Sequence, residues 1–157
     1  MINLKIAATP TNTSTFDRIA RECVENSASN ILGKQLQVVI DVDAQLPSSI
    51  DRRWFMQAMQ KMLKLAIERS PYRSEIQMTA CRVGDSVEFE VADNGDSPSE
   101  YSAAFRTSSA SNFGPIARDL GAAVQARGAE FWGVSCPQGG MAWTLRMPFR
   151  LAVAKVA

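Results

Sequence analysis

Ser86–Ser97 reads SVEFEVADNGDS, and its alternation decides how the chain folds. Val87, Phe89 and Val91 alternate with Glu88 and Glu90, the period of a strand with one face buried. Asp93 shares the parity of the apolar residues. The same alternation therefore aims a carboxylate at the buried side, where Asn94-Gly95 ends the strand. A carboxylate on a pocket wall accepts hydrogen bonds from a ligand's amino group. Asp-Asn-Gly is equally a turn sequence, and these residues alone leave both readings open.

Outward from this strand, the pattern alternates between helix and sheet. Val83-Gly84-Asp85-Ser86 is a hairpin-type turn joining it to a strand over 75–82. Before that, Trp54, Phe55, Ala58, Met59, Met62, Leu63, Ala66 and Ile67 form a wide apolar stripe, so a long helix is predicted over 52–70. Pro71 closes it. Ser14-Thr15-Phe16-Asp17 has capping-box spacing and opens a helix to about Ser29. Strands are expected at 2–8 and 36–42. After Gly95, residues 96–113 are rich in Ser, Ala and Thr and too long for an ordinary connection. Gly114-Pro115 starts a helix to about Arg127, and Glu130–Ser135 with Met141–Met147 forms a last strand pair.

The chain of 157 residues is long enough to bury a core as one domain. A formal charge of +1 gives no electrostatic footprint for nucleic acid or an anionic membrane. No apolar run reaches the length of about 20 residues that spans a bilayer, and the first residues lack a signal peptide's apolar core. Cys23, Cys81 and Cys136 lie far apart without CxxC spacing and read as buried thiols of a reducing, cytoplasmic compartment. The sequence contains no histidine, which excludes Ser-His-Asp and Cys-His chemistry and a phosphorylatable imidazole. Met56, Met59, Met62 and Met78 read as core, or alternatively as a partner groove. Trp54, Trp132 and Trp143 read as core or edge-of-core aromatics.

The order of these elements resembles the ATP-binding domain of sensor histidine kinases, within the ATPase superfamily of gyrase, heat-shock chaperones, histidine kinases and mismatch-repair proteins. The resemblance runs from about Phe16 to Phe149. Leu63, Ala66, Ile67, Ser70 and Pro71 stand where the family's long helix carries its leucine, alanine, isoleucine and terminal Ser-Pro. Val91-Ala-Asp93-Asn94-Gly95 is similar to the segment that holds adenine. Phe131-Trp132 and the stretch from Ser135 to Pro148 resemble the closing hairpin. The resemblance implies an α/β two-layer sandwich, a mixed and mostly antiparallel sheet with about three helices on one face. Residues 96–113 would then be either a remnant of the lid over the nucleotide or a plain flexible loop, which composition does not separate.

The departures are equally specific. The family's long helix carries two asparagines four apart, the second helping to hold magnesium; here they are Lys61 and Leu65, and the basic residue three places later is Glu68. Leucine offers no ligand atom, so magnesium is not expected. Ser97 replaces the last glycine of the first glycine motif. In the second, Asn112 replaces a glycine, only Gly114 remains, and Pro115 has no amide hydrogen. Phosphoryl transfer rests on positioned metal and charge. No catalytic residue is therefore assigned and no cofactor is required.

The candidate nucleotide contacts are Asp93, Asn94, Gly95, Gly114 and Lys61, for ATP or ADP. Lys61 lies about 60° from Ala58 around the helix. Its ammonium either snorkels off the core edge or faces the pocket and binds phosphate without metal. Two functions follow. One is a degenerate histidine-kinase-like domain without kinase activity, acting on a signalling protein such as a response regulator or a kinase. The other is a working nucleotide binder or weak ATPase or kinase of a two-component or anti-sigma system.

Overall fold

The computed structural model describes residues 15–43, 46, 51–95 and 114–148, and the backbone of 105–106. Helices α1 (Thr15–Asn26) and α2 (Ala28–Gly33) lead into strand β1 (Gln37–Val42). Helix α3 (Arg52–Arg69) is followed by β2 (Glu75–Val83), β3 (Ser86–Ala92) and β4 (Phe105–Arg106). Helix α4 (Pro115–Ala126) precedes β5 (Glu130–Ser135) and β6 (Met141–Pro148). The sheet order is β1-β2-β3-β6-β5-β4. β1 and β2 run parallel across the α3 crossover, and every other pairing is antiparallel. This is the mixed, mostly antiparallel sheet with a helical layer that the sequence implied. The strand expected at 2–8 lies outside the described residues.

The alternation of Ser86–Ala92 holds in space. Val87, Phe89 and Val91 are buried, and their neighbours are half-buried. The inward face of the sheet meets the helices through Phe55, which packs edge-on against Phe16 of α1 at 4.9 Å and Phe89 of β3 at 5.6 Å. Phe131 and Trp143 stack with 5.8 Å between ring centres and extend this core to β5 and β6. Met59, Met62 and Met78 are wholly buried, so they are core, and Met56 packs against its edge. Trp143 is buried, whereas Trp54 and Trp132 are half-buried, each under an arginine, Arg127 and Arg146.

Three local expectations differ. The single helix expected to Ser29 is divided at Ser27, giving four helices among the described residues, of which α2 has six residues. Gln60 of α3 donates to the Ser27 hydroxyl at 2.6 Å and reaches the Cys23 carbonyl at 3.4 Å, a tertiary contact that holds the chain at the break. Within 96–113, β4 adds a short strand to the edge of β5. Of the cysteines, only Cys23 is buried; Cys136 is half-buried and Cys81 is exposed on the outward face of β2. Burial pushes the Cys23 thiol up to about 12, with the charge of Glu22 adding to the effect. Ser14 of the capping box lies outside the described residues, while Asp17 is buried and accepts from Arg21 at 2.7 Å.

Two side chains, Lys34 and Asp51, fix the two ends of α3. Lys34 donates to the carbonyls of Ile67, Glu68 and Ser70 at 2.7, 3.0 and 3.0 Å, capping the end of α3 with a positive charge. Asp51 caps the start of α3 through the Trp54 amide and pairs with Arg127 at 3.0 Å. That pair ties the end of α4 to the start of α3.

The outward face of the sheet is polar. Arg146 bridges Glu88 and Glu130, and the Thr144 hydroxyl donates to Glu90 at 3.3 Å. Burial raises the Glu90 pKa above the ordinary carboxylate value; the Thr144 bond opposes this and the charge of Glu88 adds to it. The folded state thus keeps this proton to higher pH than the unfolded chain does. The associated stability is present below the ordinary carboxylate value and is lost as pH rises through the raised one. Glu90→Gln should remove that dependence. Urea midpoints of variant and wild type, measured from acid to neutral pH, should diverge across this interval; parallel curves would count against the assignment.

Candidate nucleotide-binding site

The end of β3 places Asp93 on the buried side, as its parity predicted, with 2% of its surface exposed. Its amide donates to the Met141 carbonyl at 2.9 Å, which extends the pairing of β3 with β6 by one residue. Oδ1 accepts from the amides of Gly95 at 2.9 Å and Met141 at 3.2 Å. Oδ2 accepts from Nε of Arg69 at 3.2 Å. A carboxylate offers about four lone-pair directions, so three of them are filled from within the chain. The Asp93 side chain has no exposed surface, and that of Arg69 is 23% exposed. A ligand amino group would have to compete with these internal donors for the carboxylate.

The glycines beside Asp93 are required by close approach. A Cβ at Gly95 would lie 2.6 Å from the Arg69 carbonyl oxygen and 3.0 Å from Asp93 Oδ1. At Gly140 it would lie 1.8 Å from the Asp93 carbonyl oxygen, and φ there is +88°. The Asp93-Asn94-Gly95 turn is thus clamped between the last turn of α3 and the start of β6. Asn94 itself is exposed.

The remaining candidates stand apart. Gly114 is half-buried at the N-cap of α4 with φ +96°, and its carbonyl accepts from the Arg118 amide at 3.1 Å. Leu65 is buried, so an apolar side chain fills the position where the resemblance places a magnesium ligand. Lys61 is exposed and lines a surface depression with Asn26, Met56, Gln57 and Gln60. It lies about 12 Å along the helix from Arg69. Among the described residues, the contacts of the Asp93 carboxylate come from Arg69, Gly95 and Met141 and not from Lys61. Ser97, Asn112 and the supposed lid lie outside the described residues, apart from the β4 backbone. No group of three or more His, Cys, Asp or Glu among the described residues is placed to hold a metal.

Arg69 is the site residue that the sequence reading missed. It lies one helical turn beyond Leu65, on the same side of α3. A cation at that spacing, next to the helix terminus and on the face turned toward Asp93, was the available signal.

No protein-family model matches the sequence, and a search of curated proteins gives no match. Solved structures do match. The nucleotide-free catalytic domain of histidine kinase ThkA superposes with a TM-score of 0.67 at 16% identity, over 85% of this chain and 92% of that one. The mycobacterial sensor histidine kinase MprB gives 0.68 at 14% identity, covering 86% and 95%. Full-length ShkA, solved with AMPPNP, gives 0.71 at 16% identity, over 94% of this chain but 32% of that one. With the strand order, the crossover helix and the Asp93 turn already in place, these superpositions show that the chain has the fold of a histidine-kinase catalytic, ATP-binding domain.

Proposed function

We propose that this chain is a degenerate histidine-kinase-like ATPase domain, without kinase activity, that works through protein interaction in bacterial signalling, towards a response regulator or a kinase. One observation carries this reading: the Asp93 carboxylate, which would meet adenine, has no exposed surface and is already paired with Arg69. The buried Leu65 supports it, because no metal ligand stands at that position. No helix among the described residues is long and apolar enough to cross a membrane, which fits action in the cytoplasm.

Titration calorimetry with ATP, ADP and adenosine, each with and without magnesium, tests this directly. No binding heat is expected from the wild type. Magnesium-ATP binding tighter than about 100 μM, near −5.5 kcal/mol, would overturn the reading.

A second reading, metal-independent nucleotide binding, is favoured by the N-cap conformation kept at Gly114. It requires that binding persist in EDTA and vanish in Lys61→Ala.

A further inference from the structure

Away from Asp93, two depressions run together along the outside of the helical layer. One, of about 750 Å³, lies between the α1–α2 corner and the second half of α3 and reaches Tyr72. The other, of about 520 Å³, continues toward Met56 and Lys61. Asn26 and Gln60 line both, so they form one groove. Along α3 from Met56 to Glu68 it measures about 18 Å, room for roughly five residues of extended chain.

The two walls differ in chemistry. On the α3 wall, Lys61 and Lys64 are exposed and engage no other side chain or carbonyl of the described residues. Their ammonium groups each present three donors and no acceptor. On the opposite wall, the Asn26 and Asn30 side chains are exposed, with amide donors and acceptors suited to a peptide backbone. Glu68 is the one acid among the lining residues, against Lys34, Lys61 and Lys64. At the far end, Tyr72 is 71% exposed, a rigid aromatic surface with a polar tip. The outward sheet face has the opposite character, with Asp41, Glu75, Glu88, Glu90 and Glu130 against Arg146. In a chain of net charge +1, this separation orients an approaching charged partner.

We propose that this groove docks an acidic segment of a partner protein in extended form. The segment's carboxylates lie against Lys61 and Lys64, and its backbone lies against Asn26 and Asn30. The proposal rests on the protein-interaction reading above and names its surface and the chemistry of its partner.

The test is selection of random dodecapeptides displayed on phage against the immobilised wild-type protein. Acidic residues should be enriched over the starting library. A recovered peptide, fluorescently labelled, should lose affinity at least about tenfold in Lys61→Glu/Lys64→Glu, equivalent to about 1.4 kcal/mol. Lys61→Gln/Lys64→Gln, which removes charge while keeping good helix formers, should weaken binding in the same direction. Binding should fall with added salt, and Arg118→Glu on α4 should leave it unchanged. Failure to recover any peptide, recovery without acidic enrichment, or unchanged affinity in both lysine double variants would overturn the proposal. Failure here with no ATP heat in calorimetry removes the groove alone. Magnesium-ATP binding in calorimetry removes the functional reading whatever the peptides do.

Discussion

Gly140→Ala is expected to destabilise the domain by more than about 4 kcal/mol, or to prevent its folding. The new methyl group would sit 1.8 Å from the Asp93 carbonyl oxygen and 2.7 Å from its carbon. Neither atom belongs to a flexible side chain. Both are backbone, held by the pairing of β3 with β6. The φ of +88° adds the cost of a left-handed conformation, about 1–2 kcal/mol for an L-residue. Gly84→Ala isolates that last contribution, since Gly84 has φ +58° and open space around it. Urea unfolding followed by circular dichroism should place Gly84→Ala about 1 kcal/mol below wild type and Gly140→Ala far below it. Equal midpoints would show that β6 approaches Asp93 more loosely than these distances require.

Asp93→Ala should cost about 3–5 kcal/mol, the range for removing one member of a buried pair. The substitution leaves the amides of Gly95 and Met141 without their side-chain acceptor and removes the ion pair to Arg69. Arg69→Met should cost less, because the Arg69 side chain is 23% exposed and solvent screens part of the pair. A double-mutant cycle separates these contributions: Asp93 and Arg69 should couple by about 1–3 kcal/mol. Additive effects in urea melts would mean that Asp93 is held by the backbone amides alone.

The parts legible in the sequence were those with local causes. Val87, Phe89, Val91 and Asp93 share one parity, so the strand and the direction of its terminal carboxylate could be read from a few residues. The stripe of α3 and the Gly114-Pro115 start of α4 were equally local. Parity also contained the correction for Cys81: Met78 and Ala80 point inward, so Cys81 points out, and expecting three buried thiols ignored that pattern. What could not be read depended on residues far apart in the chain. The break at Ser27 is held by Gln60, and Oδ2 of Asp93 is paired with Arg69. Lys61, which stands at a family motif position, lines a depression together with Asn26 of another helix.

The order of strands also governs when this domain can form. β6, the last described strand in sequence, lies in the sheet interior between β3 and β5. It supplies Trp143 and Leu145 to the core and the Met141 contacts to Asp93. Val87 on β3 pairs with Met147, so closing the middle of the sheet joins distant parts of the chain. Such non-local pairing carries a loop-closure cost before its contacts are gained and slows folding. During synthesis, β1 to β3 and the four described helices precede β6, which joins the two parts of the described sheet. Until it emerges, β3 has an open edge and Phe89 and Val91 lack their cross-strand partners Leu145 and Trp143. The nascent domain is therefore most prone to aggregation just before the last strand arrives.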